Sequence, residues 1–321
     1  MRILSFILLF FCLESHAQQL TQYSQYLKNP FAINPAAAGV YDYVDIRVLG
    51  RTQWAGFTNA PMSSNVYFTM PISQQSGGSY ADHRIGGAKR ESEINTGELK
   101  HAVGGQLITD QYGAFRRVTF SGSYAVHVPL NKEYNLSFGS QVGLANNFFI
   151  ADKAQVVYNS TTDPSYMEGI TNMSTKNVLN IGTGLYLYSK TLFAGIAVDQ
   201  ITKNMISFGR GSTYYNPKMH FNLTAGKKIK INSEMSVTPS ILWKYMNRSP
   251  LNLETSVVYS YKDWMWSSLS FRYKDAVVLG FGCNVTNHFR IAYSCDLTVS
   301  KIRSYASGSH ELMIGIMLDR K

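Results

Sequence analysis

Few side chains in this sequence combine types and spacing suited to chemistry. Ser121, Ser123 and His127 alternate with Val118, Phe120, Tyr124, Val126 and Val128, so in an extended strand the three polar groups share one face. Glu254 faces the same polar side of another alternating run, which gives the bare components of a Ser–His relay steered by a carboxylate. No Gly-x-Ser-x-Gly elbow accompanies them, and inward polar residues are equally what a wet interior requires. His310-Glu311 has no metalloprotease helix around it. Leu312 to Leu318 reads as a strand, and alternation then sends His310 and Glu311 to opposite faces. The runs Gly182-Thr183-Gly184 and Gly280-Phe281-Gly282 lack the following helix or lysine of a phosphate loop. Close strand packing accounts for them.

A second concentration of donors is Arg51-Thr52-Gln53-Trp54-Ala55-Gly56-Phe57-Thr58-Asn59-Ala60-Pro61, with a guanidinium, an amide and an indole in one stretch. Gly56 and Pro61 exclude a regular ladder there, so the stretch is read as a shaped loop between runs 41–50 and 63–72. Such donors suit a loop that buries polar groups needing partners.

What must position these residues is a set of strands. The first seventeen residues have the form of an export signal: Arg2, an apolar run from Ile3 to Leu13, and Ser15-His16-Ala17 as a cleavage site. Bulky Phe10 and Phe11 before Cys12 argue against a lipoprotein. Segment 1–17 is therefore expected to be removed, leaving an exported chain. No later segment has the apolar length of a membrane helix. Yet 45% of residues are hydrophobic and only 16% charged, with 21 Tyr, 17 Phe and 25 Gly. That mixture suits alternating transmembrane strands with aromatic rims. The net charge of +10 is scattered, with Lys227, Lys228 and Lys230 the densest group. For an exported chain this implies outer-membrane lipid phosphates or an acidic partner rather than nucleic acid. Cys283 and Cys295 offer no metal spacing, and a turn at Thr286-Asn287 that sets position 283 opposite about 290 separates them too far for a disulfide. No metal and no cofactor is expected.

Residues 18–40 contain Asn29-Pro30, Asn34-Pro35 and Ala36-Ala37-Ala38-Gly39, turn chemistry that predicts an irregular segment, periplasmic or tucked into a barrel mouth. A single β-barrel domain over 41–321 follows, with about fourteen strands centred on 41–51, 63–73, 100–109, 115–128, 133–146, 176–188, 191–199, 217–228, 234–246, 251–261, 264–273, 276–284, 288–296 and 308–318. Tyr134, Leu136, Phe138, Val142 and Leu144 oppose Asn135, Ser137, Gly139, Gln141 and Gly143; Leu251, Leu253, Val257 and Tyr259 oppose Asn252, Glu254 and Ser256. Many of these runs exceed the usual strand of soluble sheets. Connections alternate in size: 129–132, 189–190, 229–233, 262–263 and 286–287 are short, whereas 148–175, 200–216 and 297–307 are long, the pattern of an outer-membrane barrel. Segment 74–99 breaks it, being long on the short side. Pro239 inside a predicted strand points to a bulge or edge, and Leu318-Asp319-Arg320-Lys321 lacks the terminal aromatic of barrel insertion signals. Tyr134, Tyr188, Trp243, Tyr245, Tyr259, Trp264 and Tyr293 fall near strand ends, as an aromatic girdle would.

Several segments, taken in order, resemble the PorP/SprF family: Gln25-Tyr26-Leu27-Lys28-Asn29-Pro30 with Asn34, Pro35, Ala36 and Gly39; Arg51, Gln53, Trp54 and Gly56 with Ala60 and Pro61; Gly104-Gly105 with Asp110 and Gly113; Pro217 with His220; Pro239-Ser240 with Lys244-Tyr245; and Gly308-Ser309-His310-Glu311. The resemblance implies a non-enzymatic outer-membrane protein of the type IX secretion system of Bacteroidota, tied in some species to gliding motility. It implies as partners a cargo C-terminal domain, the translocon barrel, and periplasmic ring or peptidoglycan-linked lipoproteins. The family-motif residues Asn34, Pro35, Arg51, Gln53, Trp54, Gly56, Pro61, Asp110, His220, His310 and Glu311 are then the candidates for structural or partner contacts. A barrel of this size encloses a lumen that side chains alone need not fill, so the N-terminal segment or loops are candidates to plug it. The alternative function is a passive porin or small-hydrophobe transporter.

Overall fold

A computed structural model describes residues 21–72, 94–154, 176–202, 207–208, 218–247, 249–262 and 264–318. The expected export signal, most of segment 74–99 and most of the 148–175 and 200–216 loops lie outside them. The strands in order are β1 (Val44–Thr52), β2 (Met62–Pro71), β3 (Lys100–Tyr112), β4 (Phe115–Pro129), β5 (Asn135–Phe149), β6 (Lys176–Tyr188), β7 (Leu192–Asp199), β8 (Ser207–Phe208), β9 (His220–Lys227), β10 (Ile229–Lys230), β11 (Met235–Met246), β12 (Asn252–Tyr261), β13 (Met265–Arg272), β14 (Ala276–Asn284), β15 (Phe289–Thr298) and β16 (Ser309–Leu318). The two-residue strands β8 and β10 are annexes to this sheet. The other fourteen form one antiparallel barrel among the described residues, each paired with its neighbour in sequence. The β1–β16 ladder, from Val44 opposite Leu318 to Thr52 opposite His310, closes it.

The polarity is inverted relative to a soluble protein. Phe120, Phe138, Leu269 and Phe281 point outward and are more than half exposed, whereas Arg47, His127, Glu254, Arg272 and Glu311 are fully buried inside. Alternation along β4 and β5 follows the split expected from sequence, Ser121 and His127 inward and Phe120 and Val128 outward. An exterior of this kind is at its lowest free energy in hydrocarbon, where closure also pairs every strand edge.

The first strand begins three residues later than the sequence suggested, at Val44. Arg51 lies within β1 rather than opening the loop, because its main chain continues the ladder to Ser63 and Glu311. The expected bulge at Pro239 is absent. Pro239 pairs normally with Val257 of β12. On the other side the ladder lapses between Ser240, opposite Gly226, and Val237, opposite Ile229, with the register unchanged. The missing N–H of proline leaves a gap without inserting a residue. Tyr188 is not part of a girdle: it turns inward and is buried, while Trp243, Tyr245, Tyr259 and Tyr293 face outward. Cys283 stands opposite Ile291, one residue from the expected register, and both cysteines are free.

Residues 21–43 run through the interior as three 3₁₀ turns, Tyr26–Lys28, Pro30–Ala32 and Pro35–Ala37. Two of these start on the proline of an Asn-Pro pair, where a fixed φ and an absent N–H suit the first helical position. The Asn34 side chain caps the last turn by accepting from Ala36 N at 2.9 Å. Tyr23, Phe31 and Ala38 then pack with Leu49, Tyr67, Val258, Trp266 and Met313 from the wall. Room for this segment comes from glycine. A Cβ on Gly139 would lie 2.4 Å from the Ala36 Cα. Gly139→Ala is expected to lower stability by about 1–3 kcal/mol through overpacking against that main chain. Gly122→Ala, with no atom within 4 Å of its Cβ, is expected to leave stability unchanged. Loss of the heat-modifiable folded band with temperature measures both.

Candidate functional site

The candidate site is the interface between residues 21–43 and the barrel wall, and its densest part is a network of buried charges. Glu311 is inward on β16, two residues from its start, and fully buried. The main-chain N–H groups of Ser24 and Gln25 donate to its Oε2 and Oε1 at 2.9 and 3.1 Å. Arg51, from the neighbouring strand, places Nη2 2.7 Å from Asp296 Oδ2 and Nη1 3.6 Å from Glu311 Oε2. Its Nη1 also donates to Ser24 Oγ at 2.8 Å. Arg272 completes the set, with Nε on Glu254 at 2.9 Å and Nη1 on Asp296 at 2.9 Å. Ser24 in turn donates to Asp296 Oδ1 at 2.7 Å. Two guanidiniums thus face three carboxylates, and two main-chain N–H groups supply further donors toward the remaining negative charge. Planar forks that reach several oxygens at once are why both cations are arginine.

Further into the lumen the wall grips main chain and hydroxyls. Tyr26 Oη lies 3.1 Å from both Ser240 Oγ and Ser256 Oγ. Asn222 donates to the Ile33 carbonyl at 3.1 Å. Asn34 donates to the Leu185 and Ile196 carbonyls at 2.9 and 3.3 Å, which ties the segment to β6 and β7. His127 Nε2 bonds the Ala38 carbonyl at 2.7 Å while its Nδ1 lies 2.9 Å from Tyr188 Oη. At the far rim, Lys100 Nζ pairs with Asp42 at 2.7 Å, and burial still raises the Asp42 pKa above the usual carboxylate range. Arg47 pairs with Asp45 at 2.8 Å and stacks its guanidinium against Tyr41 and Tyr67.

The sequence-derived residues sort clearly. Asn34, Pro35, Arg51, Asp110 and Glu311 meet at this interface: Pro35 opens the turn that Asn34 caps, and Asp110 accepts from the Thr21 hydroxyl. Gln53, Trp54, Gly56 and Pro61 shape the β1–β2 loop by main chain. Gln53 N donates to Pro61 O at 2.8 Å, Trp54 N donates to Ser309 Oγ at 3.1 Å, and Trp54 and Gly56 have φ of +54° and +94°. The Trp54 side chain is only half-buried. His220 lines a cavity of about 80 Å³ beside the segment, with Arg117, Asp199 and Lys244 also on its wall. His310 does not join: it faces outward, 2.6 Å from Tyr293 Oη, with its neighbour Glu311 on the inner face. Ser121 and Ser123 face the lumen side of β4 with His127, but both ring nitrogens of that histidine are engaged as described.

Arg272, Asp296, Arg47 and Asp45 were missed from sequence. Their signal was present as single charges at inward parity inside apolar strands, such as Arg47 between Ile46 and Val48 and Asp296 between Cys295 and Leu297.

A closed antiparallel barrel with an apolar belt and a charged, chain-filled interior is an outer-membrane β-barrel. The chain belongs to the PorP/SprF family, whose model, described as type IX secretion system membrane protein PorP/SprF, matches residues 15–316. No curated protein sequence matches it significantly. Among solved structures it is similar to the Pseudomonas putida toluene transporter TodX, at 8% identity and a TM-score of 0.48 over 95% of each chain. A Pseudomonas aeruginosa FadL homologue gives 10% and 0.45 over 89% of this chain and 92% of that one. The translocator domain of the autotransporter NalP from Neisseria meningitidis gives 10% and 0.38 over 86% and 87%. Likenesses of this size say nothing about what the chain carries or binds.

Removing one member of a buried charge set strands the others without water. Arg51→Ala is expected to cost about 3–5 kcal/mol, and Arg51→Lys to recover only part because one ammonium cannot span Asp296, Glu311 and Ser24. Trp54→Ala is expected to cost less than Arg51→Ala, since the indole is half-buried and its loss leaves no charge unpaired. Urea midpoints of the refolded barrel in detergent or lipid order the three variants.

Proposed function

We propose that this barrel is a non-enzymatic docking subunit of type IX secretion, which holds the C-terminal domain of an exported cargo and links the translocon barrel to periplasmic ring or peptidoglycan-linked lipoproteins. The observation that carries the reading is the filled lumen. Residues 21–43 are bonded to the wall from one rim to the other, through Glu311, Asn222, Asn34, His127 and Lys100. A protein so occupied acts through its rims and outer loops rather than as a conduit. The cavity of about 80 Å³ beside the segment, among the described residues, is far below the size of a folded cargo. Engagement of both His127 nitrogens supports a non-catalytic role, because a general base needs a free nitrogen facing substrate.

Family membership supports the secretion setting, and the strand polarity supports the outer membrane. Deleting the gene and profiling surface and secreted proteins is the test. The expected outcome is mislocalisation of a defined subset of exported proteins, restored by the wild-type barrel. An unchanged exported proteome would remove the secretion role.

A further inference from the structure

The direction in which residues 21–43 traverse the lumen follows from the strand ends they meet. The Thr21 hydroxyl donates to Asp110, near the end of β3, and Gln22 Nε2 reaches Asn252 Oδ1, the first residue of β12, at 3.5 Å. Ser24 and Gln25 come next, on Glu311 near the start of β16. All three strand ends lie on the rim that carries the β1–β2 and β15–β16 connections. Asn34 bonds to residues within β6 and β7. Ala38 then meets His127, close to the end of β4, and Asp42 meets Lys100, the first residue of β3. Those ends belong to the opposite rim, where β1 starts and β16 stops. The chain therefore crosses the lumen once before the first strand begins.

Bacterial outer-membrane barrels place their short turns and their terminal strand ends in the periplasm. By that rule the rim with the terminal strand ends Val44 and Leu318, which carries the turns at 130–134 and 189–191 along with the long connection between Pro71 and Lys100, is periplasmic. We infer that the chain enters its own barrel from the cell-surface mouth, so that Thr21 stands on the outer face although β1 begins and β16 ends on the periplasmic side.

One physical consequence follows. Tension applied at Thr21 from outside acts within three residues on Ser24, and through Ser24 on Asp296, Arg51 and Glu311. The outer mouth thus offers an external polypeptide a handle on the charge network.

An epitope inserted immediately before Thr21 tests the topology, with an epitope after Lys262 in the β12–β13 turn as the periplasmic marker. Antibody is expected to reach the Thr21 epitope on intact cells and the Lys262 epitope only after the outer membrane is permeabilised. The reverse order, or a Thr21 epitope reached only after permeabilisation, overturns the inference. Where the insertion blocks assembly, Thr21→Cys alone and with Asp110→Cys serves instead, in a background with Cys283→Ser and Cys295→Ser. The pair is expected to form a disulfide on oxidation, and the single cysteine to take up a membrane-impermeant maleimide in intact cells. Absence of the disulfide, or of maleimide uptake by intact cells, overturns the inference. Neither readout depends on whether secretion requires the protein, so failure here and failure of the docking role are separable.

Discussion

The structure depends on how a barrel stabilises charges that are cut off from bulk solvent. Arg51, Arg272, Glu254, Asp296 and Glu311 are all buried, and isolated burial of any one would be prohibitive. They are tolerated because each meets a partner of opposite charge and because two oxygens of Glu311 are met by the main-chain N–H groups of Ser24 and Gln25. The segment 21–43 is thus a component of the charge balance as well as a filler. Without it, Glu311 would lose two donors and Ser24 would no longer bridge Arg51, Arg272 and Asp296.

The same segment explains features that otherwise look unrelated. Wall glycines 104, 139 and 184 stand where a Cβ would strike Phe31, Ala36 or Asn34. Ala36, Ala37 and Ala38 are small where the approach is closest, and Gly39 takes a φ of +72° while its would-be Cβ abuts Ala102. His127, which sequence makes a candidate base, is a clasp on the Ala38 carbonyl.

Much of the wall was legible in the sequence because each strand has one lipid face and one wet face, and period two is hard to imitate. All fourteen expected strands coincide with observed ones, and Asn34, Arg51, Asp110 and Glu311 were singled out before their common role was visible. That common role was not legible, since it depends on which residues share a level of the barrel. Arg51, Asp296 and Glu311 come together only through the closing ladder between β1 and β16. Arg272 and Asp296 were passed over because their pairing crosses from one strand to another, whereas the partner that Arg272 has nearby in sequence is Asp275. His310 and Glu311 do lie on opposite faces, as period two alone requires, so only Glu311 of the pair reaches the interior. The gap at Pro239 and the inward turn of Tyr188 likewise depend on neighbours across the sheet.

Residues 21–43 close the lumen, and Glu311 and Arg51 hold them there. Single-channel recording in planar bilayers compares the wild-type barrel with Arg51→Ala, Glu311→Ala and a barrel starting at Val44. Expected are no steady conductance from wild type, intermittent openings from the two point variants, and a sustained open pore from the truncated barrel. A steady, ungated current through the wild-type protein would contradict that closure.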